Sequence, residues 1–114
     1  MVITQGDIFW ADLREPIGSE AGFRRPVVVV QGDALNRSRI ATVVCVPLTT
    51  NLRLASGHGN VLLVTGSTGL AEDSVANVSQ ILAVDRGLFR DRVGHLLRGD
   101  VERVLRGIDI VLGR

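Results

Sequence analysis

The sequence predicts a mainly β (α+β) fold, in which a small barrel of short strands is closed by a C-terminal helix. Five or six short apolar segments, separated by turn residues, follow one another between residues 7 and 96. Strands this short and closely spaced favour a small barrel or sandwich. From residue 100 onwards, apolar residues instead recur every three or four positions, which is the spacing of an amphipathic helix.

The first three strands contain the most apolar part of the chain. Residues 7–13 predict a short strand, and a turn-rich loop over residues 15–25 leads to residues 26–31, where four consecutive valines indicate a strand buried on both faces. A third strand covers residues 40–49. Pro47 within it predicts a bulge or an end to regular pairing, because proline has no N–H for the ladder. Cys45 lies in the same apolar segment, so we expect a buried, unreactive thiol.

The second half of the chain has shorter segments. Residues 61–64 and 74–78 predict two strands, residues 80–86 an irregular or short helical connection, and residues 92–96 one further short strand. Asp100 is a plausible N-cap for the final helix. The apolar face of that helix would consist of Val101, Val104, Leu105, Ile108, Val111 and Leu112, with Glu102, Arg103, Arg106 and Asp109 facing water.

Composition limits the classes of protein. The 114 residues suit one domain over 1–114, and 46% hydrophobic with 22% charged residues is typical of a globular chain. No apolar run approaches the ~20 residues that span a bilayer, and no basic segment followed by an apolar stretch begins the chain, so we expect no membrane partner and a cytoplasmic location. All 13 basic residues are arginine, but the net charge is only +1, so bulk charge does not argue for nucleic acid.

Strictly spaced enzyme motifs are absent. The chain has no Walker loop, no HExxH, no GxSxG and no CxxC pair, so we expect no metal site and no cofactor. His58 and His95 stand beside glycines in loop-like sequence, where histidines are more often solvated than catalytic. Any chemistry must therefore come from loop residues and strand ends.

Two segments offer such residues. Arg24 and Arg25 precede Pro26 at the start of a central strand, and a guanidinium held on a rigid element can stabilise charge that develops on a phosphate. Arg25 could equally pair with a carboxylate of the preceding loop, Glu15 or Glu20. The second segment, Thr49, Thr50 and Asn51, follows another strand; its hydroxyl and amide groups can bond to phosphates or bases, although such clusters usually make turns.

In combination, several segments resemble the MazF/PemK family of toxin endoribonucleases. No single segment is specific, but their order and intervals are, and together they span nearly the whole chain. The matching segments are Gly6-Asp-Ile-Phe-Trp-Ala-Asp-Leu, Gly18-Ser-Glu-Ala-Gly, Arg25-Pro-Val-Val-Val-Val-Gln, Val46-Pro-Leu-Thr-Thr-Asn, Asn60-Val-Leu-Leu, Asp73-Ser-Val-Ala-Asn-Val, and Gln80-Ile through Val84-Asp85.

The resemblance implies an SH3-like barrel that forms a homodimer. It implies that the dimer cleaves single-stranded RNA at short motifs, without a metal, by using the 2′-hydroxyl of the substrate. It also implies a MazE-like antitoxin whose disordered acidic segment occupies the RNA groove. The catalytic pair carries over to Arg25 and Thr49, and the remaining RNA-binding positions are Ser19, Glu20, Arg24, Thr50, Asn51 and Gln80.

Two questions stay open. Some family members carry Arg-x-Asp where this chain has residues 77–79, so the general base is unassigned, with Glu20 or a histidine as substitutes. Base stacking would depend on Phe23, Trp10 or arginine planes, although we expect Phe9 and Trp10 to lie in the core. A CcdB-like toxin that binds DNA gyrase is the main alternative function. No tryptophan lies near the C-terminus to support it, and a regulatory, non-catalytic relative is a third possibility.

Overall fold

The computed structural model describes residues 1–14, 18 and 22–114. In this part of the chain, short 3-10 helices connect the other elements; they are Leu52–Ser56, Val78–Gln80 and Arg86–Leu88. The strands are β1 (Asp7–Asp12), β2 (Arg24–Val29), β3 (Thr42–Thr49), β4 (Val61–Leu63), β5 (Ser74–Ala76), β6 (Leu82–Asp85) and β7 (Phe89–His95), and the helices are α1 (Asp33–Asn36), α2 (Thr65–Thr68) and α3 (Arg98–Leu112).

The strands form one curled antiparallel sheet, a half-barrel, in the order β4-β5-β3-β2-β1-β7, with β6 also paired to β3. Strand β3 changes one neighbour along its length. Its first half, through Cys45, pairs with β6, whereas Leu48 and Thr49 pair with β5. Pro47 lies between the two halves, so the predicted interruption of pairing occurs on that edge while β3 itself continues.

Both faces of β2 are buried, as the four valines predicted. Val28 and Val30 pack into the core under α3, while Val27 and Val29 pack into a second core on the opposite face. The second core also contains Cys45, and burial raises the pKa of its thiol to about 12, which agrees with an unreactive cysteine. A strand at the centre of the sheet therefore separates two hydrophobic cores.

Helix α3 covers the first core through Val101 and Val104. It begins at Arg98, and its N-cap is Leu97, so the prediction of Asp100 as N-cap was wrong. The carbonyl oxygen of Leu97 already accepts from the N–H groups of Asp100 and Val101. The carboxylate of Asp100 instead lies in the first turn, where it suits the positive end of the helix dipole.

The C-terminal end of α3 extends past the core. Val111 and Leu112 are exposed, contrary to the predicted apolar face. A close contact of α3 is made one turn earlier, where Gly107 approaches Gly59 so tightly that a Cβ on Gly107 would overlap the Gly59 carbonyl oxygen. Glycine at this position sets how closely the helix can approach the loop before β4.

Two later segments differ from prediction. Residues 80–86 were expected to be irregular or helical, but Leu82–Asp85 form β6, because the first half of β3 offers an unpaired edge that these residues can join. Strand β7 is longer than predicted and pairs with β1, so the described residues contain seven strands rather than the five or six expected. Within the described residues, no helix is both long and apolar enough to cross a bilayer.

Candidate active site

Arg25 lies on β2 between two other strands. It pairs with Ala11 of β1, and its Nη1 donates to the carbonyl oxygen of Leu48 on β3 at 3.5 Å. Val27 pairs with Pro47, and extending this antiparallel register by two residues places Arg25 opposite Thr49. The guanidinium is half-buried and is held beside the end of β3 by strands on both sides.

Thr49 ends β3 and is tied down through both its backbone and its side chain. Its strand pairs with Val75 of β5, and its Oγ1 accepts from the N–H of Asn51 at 3.2 Å. Because that oxygen is already an acceptor, the hydroxyl hydrogen can be donated elsewhere. The arrangement leaves a fixed O–H donor next to a fixed guanidinium.

Four of the predicted site residues line one pocket of about 280 Å³, which we call the arginine pocket. They are Arg24, Arg25, Thr49 and Thr50. The sequence analysis placed these two pairs at separate strand ends, and the sheet brings them together. The pocket is completed by Trp10, Pro26, Leu48, Leu70, Ala71, Glu72 and Ser74.

Two pocket residues were misplaced or missed from the sequence. Phe9 is buried against Phe89, as expected, but Trp10 is only half-buried and lines the pocket, so its assignment to the core was wrong. Successive residues of a strand face opposite sides, which is why these neighbours differ. Glu72 was not singled out, since only the pairing of β5 with β3 brings its loop beside Thr49.

The other predicted RNA-binding residues lie elsewhere. Gln80 lines a second pocket of about 370 Å³ with Leu13, Arg14 and residues of β6. Asn51 is exposed, and its side chain accepts from the N–H of Arg53, which caps the following 3-10 helix. Ser19 and Glu20, together with any ion pair of Arg25 to Glu15 or Glu20, fall outside the residues that the structure describes.

The fold and these sites can be compared with known proteins. A family model described as "PemK-like, MazF-like toxin of type II toxin-antitoxin system" matches residues 4–112. The chain belongs to this family. Endoribonuclease MazF6 from Mycobacterium tuberculosis is 44% identical to this toxin over 112 residues, covering 98% of each chain. Endoribonuclease EndoA from Bacillus subtilis is 31% identical over 112 residues, covering 98% of this chain and 96% of its own.

Solved structures confirm the fold of the toxin. MazF from Deinococcus radiodurans superposes with a TM-score of 0.80 at 22% identity, covering 100% of this chain and 99% of its own. An endoribonuclease in complex with its cognate antitoxin, from a mycobacterial species, gives 0.78 at 22% identity, covering 97% and 95%. Both agree with a curled sheet and a C-terminal helix. The comparisons give no support to the gyrase-binding alternative.

Neither histidine of the toxin lines the arginine pocket. His58 is exposed in the loop before β4, and His95 ends β7, where its Nδ1 lies 2.8 Å from a carboxylate oxygen of Asp7. Among the described residues, no group of three or more histidine, cysteine, aspartate or glutamate side chains is placed to hold a metal ion. Glu72 is the carboxylate that the described part of the structure places in the pocket.

Proposed function

We propose that this toxin cleaves single-stranded RNA at short sequence motifs, with Arg25 and Thr49 acting on the scissile phosphate. The observation that carries the proposal is the meeting of these two side chains in one pocket, each held by strands. Relatives that match along the full length of the chain, at 31–44% identity, are endoribonucleases, and the toxin is an enzyme of that class. The geometry of the site supports separate roles for Arg25 and Thr49 in the reaction.

The proposed reaction uses the substrate's own 2′-hydroxyl as nucleophile. Its oxygen loses a proton and bonds to phosphorus, and the bond from phosphorus to the 5′-oxygen breaks, so that the leaving oxygen takes up a proton. The products are a 2′,3′-cyclic phosphate and a 5′-hydroxyl. Negative charge grows on the non-bridging oxygens in the transition state, and a pre-positioned guanidinium at Arg25 stabilises that charge.

Arg25 is assigned to charge stabilisation rather than to proton transfer, since a guanidinium stays protonated far above neutral pH. Thr49 donates its hydroxyl hydrogen to the phosphate and so orients it for in-line attack. This division needs no metal, because the substrate supplies the nucleophile and the protein supplies the compensating charge.

Further RNA contacts are proposed from the resemblance and the position of the residues. Arg24 and Thr50 share the arginine pocket, whereas Gln80 would contact the RNA from the second pocket and Asn51 from the surface. Ser19 and Glu20 would act from the loop between β1 and β2.

The toxin is proposed to act as a homodimer in the cytoplasm and to be neutralised by a MazE-like antitoxin. A mycobacterial endoribonuclease of the same fold has been solved with its cognate antitoxin, and MazE–MazF complexes are known from Deinococcus radiodurans. The half-exposed arginines of the pocket would suit the acidic segment expected of such a partner. Light scattering at micromolar concentration tests the dimer, and a monomeric mass with full activity would contradict it.

The main test is incubation of the purified toxin with a long single-stranded RNA in EDTA, followed by mapping of the new ends. Discrete cuts at one short motif with 5′-hydroxyl ends are expected. The same RNA left intact by a folded, dimeric preparation would remove the proposal, and cuts that require added Mg²⁺ would remove its metal-independent chemistry.

A further inference from the structure

Two charged side chains of opposite sign line the arginine pocket without pairing. Within the described residues, the guanidinium of Arg24 makes no hydrogen bond or ion pair, and its recorded contact is with Trp10, whose ring centroid lies 5.6 Å from its Cζ. The carboxylate of Glu72 likewise has no hydrogen-bond or ion-pair partner among those residues. Both groups are exposed, so both are available to a ligand.

The two residues that follow Glu72 make side-chain hydrogen bonds within the fold, whereas the described residues offer no partner to the Glu72 carboxylate. The carboxylate of Asp73 accepts from the N–H of Thr65 at 3.0 Å, and the hydroxyl of Ser74 donates to the backbone carbonyl oxygen of Glu72 at 3.4 Å. These two bonds fix the backbone directly after Glu72. Glu72 itself is exposed, and its carboxylate has no partner among the described residues, so it is available to a ligand.

The scissile phosphate is proposed to lie at Arg25 and Thr49, but the part of the pocket lined by Glu72 is poorly suited to a second phosphate, because the carboxylate would repel it. A nucleobase suits both Arg24 and Glu72, since it carries donors and acceptors on its edge and a flat face for stacking. Trp10 and Arg24 supply the flat surfaces, as Trp10 is half-buried on β1 opposite Pro26 and Arg24 lies over its ring. Aromatic and guanidinium planes are the usual stacking platforms for unpaired bases.

The carboxylate distinguishes between bases. Guanine presents two adjacent donors, N1–H and the N2 amino group, which match the two oxygens of a carboxylate. Adenine and cytosine place a ring nitrogen acceptor beside their amino group, and uracil has one N–H between two carbonyl oxygens, so each would turn a lone pair towards Glu72. Arg24 and Arg25 line the same pocket, so a base held at Arg24 would belong to a nucleotide next to the scissile phosphate.

We propose that Trp10, Arg24 and Glu72 form a guanine-selective subsite next to the cleaved bond, with Glu72 as the residue that determines the base. The inference rests on the proposed RNA cleavage and goes beyond it by naming the base and the residue that reads it. Bidentate contacts to a base edge discriminate between bases, and for an exposed carboxylate we expect about a tenfold preference in kcat/KM.

The test compares two oligonucleotides that carry the cleavage motif, one with guanine next to the cut and one with inosine, which lacks only the 2-amino group. The wild-type toxin should cut the guanine substrate about tenfold more efficiently, and Glu72→Gln should reduce that ratio to about one. Glu102→Gln is the matched control, because Glu102 pairs with Arg98 on α3 away from the pocket, and it should retain the tenfold ratio. A ratio that Glu72→Gln leaves unchanged, or a motif without guanine next to the cut, would overturn the subsite.

A binding measurement separates this inference from the cleavage proposal. Trp10 is the only tryptophan of the chain, so its fluorescence reports directly on the pocket. Oligonucleotides with a 2′-deoxyribose at the cut cannot be cleaved, and the one with guanine should quench Trp10 at about tenfold lower concentration than the one with uracil. Guanine-selective quenching without cleavage of normal RNA would retain the subsite and remove the proposed reaction. Cleavage of normal RNA with equal quenching by both oligonucleotides would retain the proposed reaction and remove the subsite.

Discussion

The arginine pocket and the cluster around Asp7 both contain arginine and a carboxylate. Around Asp7 these charges are paired, whereas Arg24 and Glu72 of the pocket have no ion-pair partner among the described residues. Asp7 is almost fully buried, and its Oδ1 accepts from Nε of Arg92 at 3.1 Å and from Nδ1 of His95 at 2.8 Å, while Nη2 of Arg92 forms an ion pair with it at 3.1 Å. Its Oδ2 accepts from the N–H of Thr4 at 2.8 Å. In the pocket, by contrast, Arg24 and Glu72 have no such partners among the described residues.

This comparison separates charged residues that stabilise the fold from charged residues that are available to bind a ligand. In the sequence, an aspartate with a histidine resembles a catalytic pair more than a lone glutamate does. In the structure, Asp7 accepts hydrogen bonds that join β1 to β7, and it pairs with His95 in the strand register. An unpaired charge at a pocket wall is a better indicator of ligand binding than a well-paired cluster.

The largest expected effect is on catalysis. Arg25→Ala should lower kcat for RNA cleavage by about 10²–10³-fold, because it removes the group that stabilises the transition-state charge. The melting temperature should change little, since the side chain lies at the end of a strand. Single-turnover kinetics on a motif-bearing oligonucleotide measures the loss, and circular dichroism measures folding. A fall of less than threefold would contradict the assignment.

The next effect is on stability. Asp7→Ala should lower the free energy of unfolding by about 2–3 kcal/mol, because it leaves Arg92, His95 and the N–H of Thr4 without their shared acceptor. Cleavage per folded molecule should stay unchanged. Urea unfolding followed by fluorescence gives the stability. The opposite outcome, a stable variant that no longer cleaves, would place the Asp7 cluster in the active site.

Removal of one donor from the pocket should have a smaller effect. Thr49→Val keeps the shape and β-branching but lacks the hydroxyl, so kcat should fall by about tenfold with little change in stability. Thr50→Val is the neighbouring control and should affect KM more than kcat, since Thr50 is proposed only to bind. Equal effects of the two variants on kcat would argue against a distinct role for Thr49.

The smallest effect concerns pH. The N–H of Gln5 donates to Asp33 at 2.7 Å, and this bond, with Asn36 and nearby positive charge, lowers the pKa of Asp33 below its ordinary value. A depressed pKa in the folded state stabilises the protein above the ordinary pKa near 4, and that contribution is lost as the pH falls further. Asp33→Asn keeps an acceptor for Gln5 but does not titrate, so its urea midpoint should fall less than that of the wild type between pH 5 and 3. Parallel curves would contradict this.

Most of the fold could be predicted from local patterns. The four valines after Pro26 indicated a strand buried on both faces, and the apolar spacing after residue 100 indicated α3, because both patterns are periodic within one element. The start of α3 and the strand at Leu82–Asp85 could not be predicted in the same way. Each depends on a distant partner: β6 exists because β3 has an edge for it, and the last turn of α3 is exposed because the core ends below it.

The candidate site, like the fold, could be predicted from the sequence only in part. Arg25 and Thr49 were found from motifs in the chain, and those motifs led to a family that full-length relatives confirm. Which of the predicted residues meet in space was not contained in those motifs. Gln80 ends a 3-10 helix and lines another pocket, and Asn51 caps a 3-10 helix after β3, because the chain changes direction at both places.

The sequence by itself determined the family, the strand-rich architecture with its final helix, and the arginine and threonine proposed for catalysis. These follow from residue types at short intervals along the chain. The tertiary structure was needed to show that Trp10 lines the arginine pocket and that Glu72 lines it from the loop before β5. Those placements depend on the pairing of β5 with β3 and of β1 with β2, which brings together residues more than sixty positions apart through hydrogen bonds between strands.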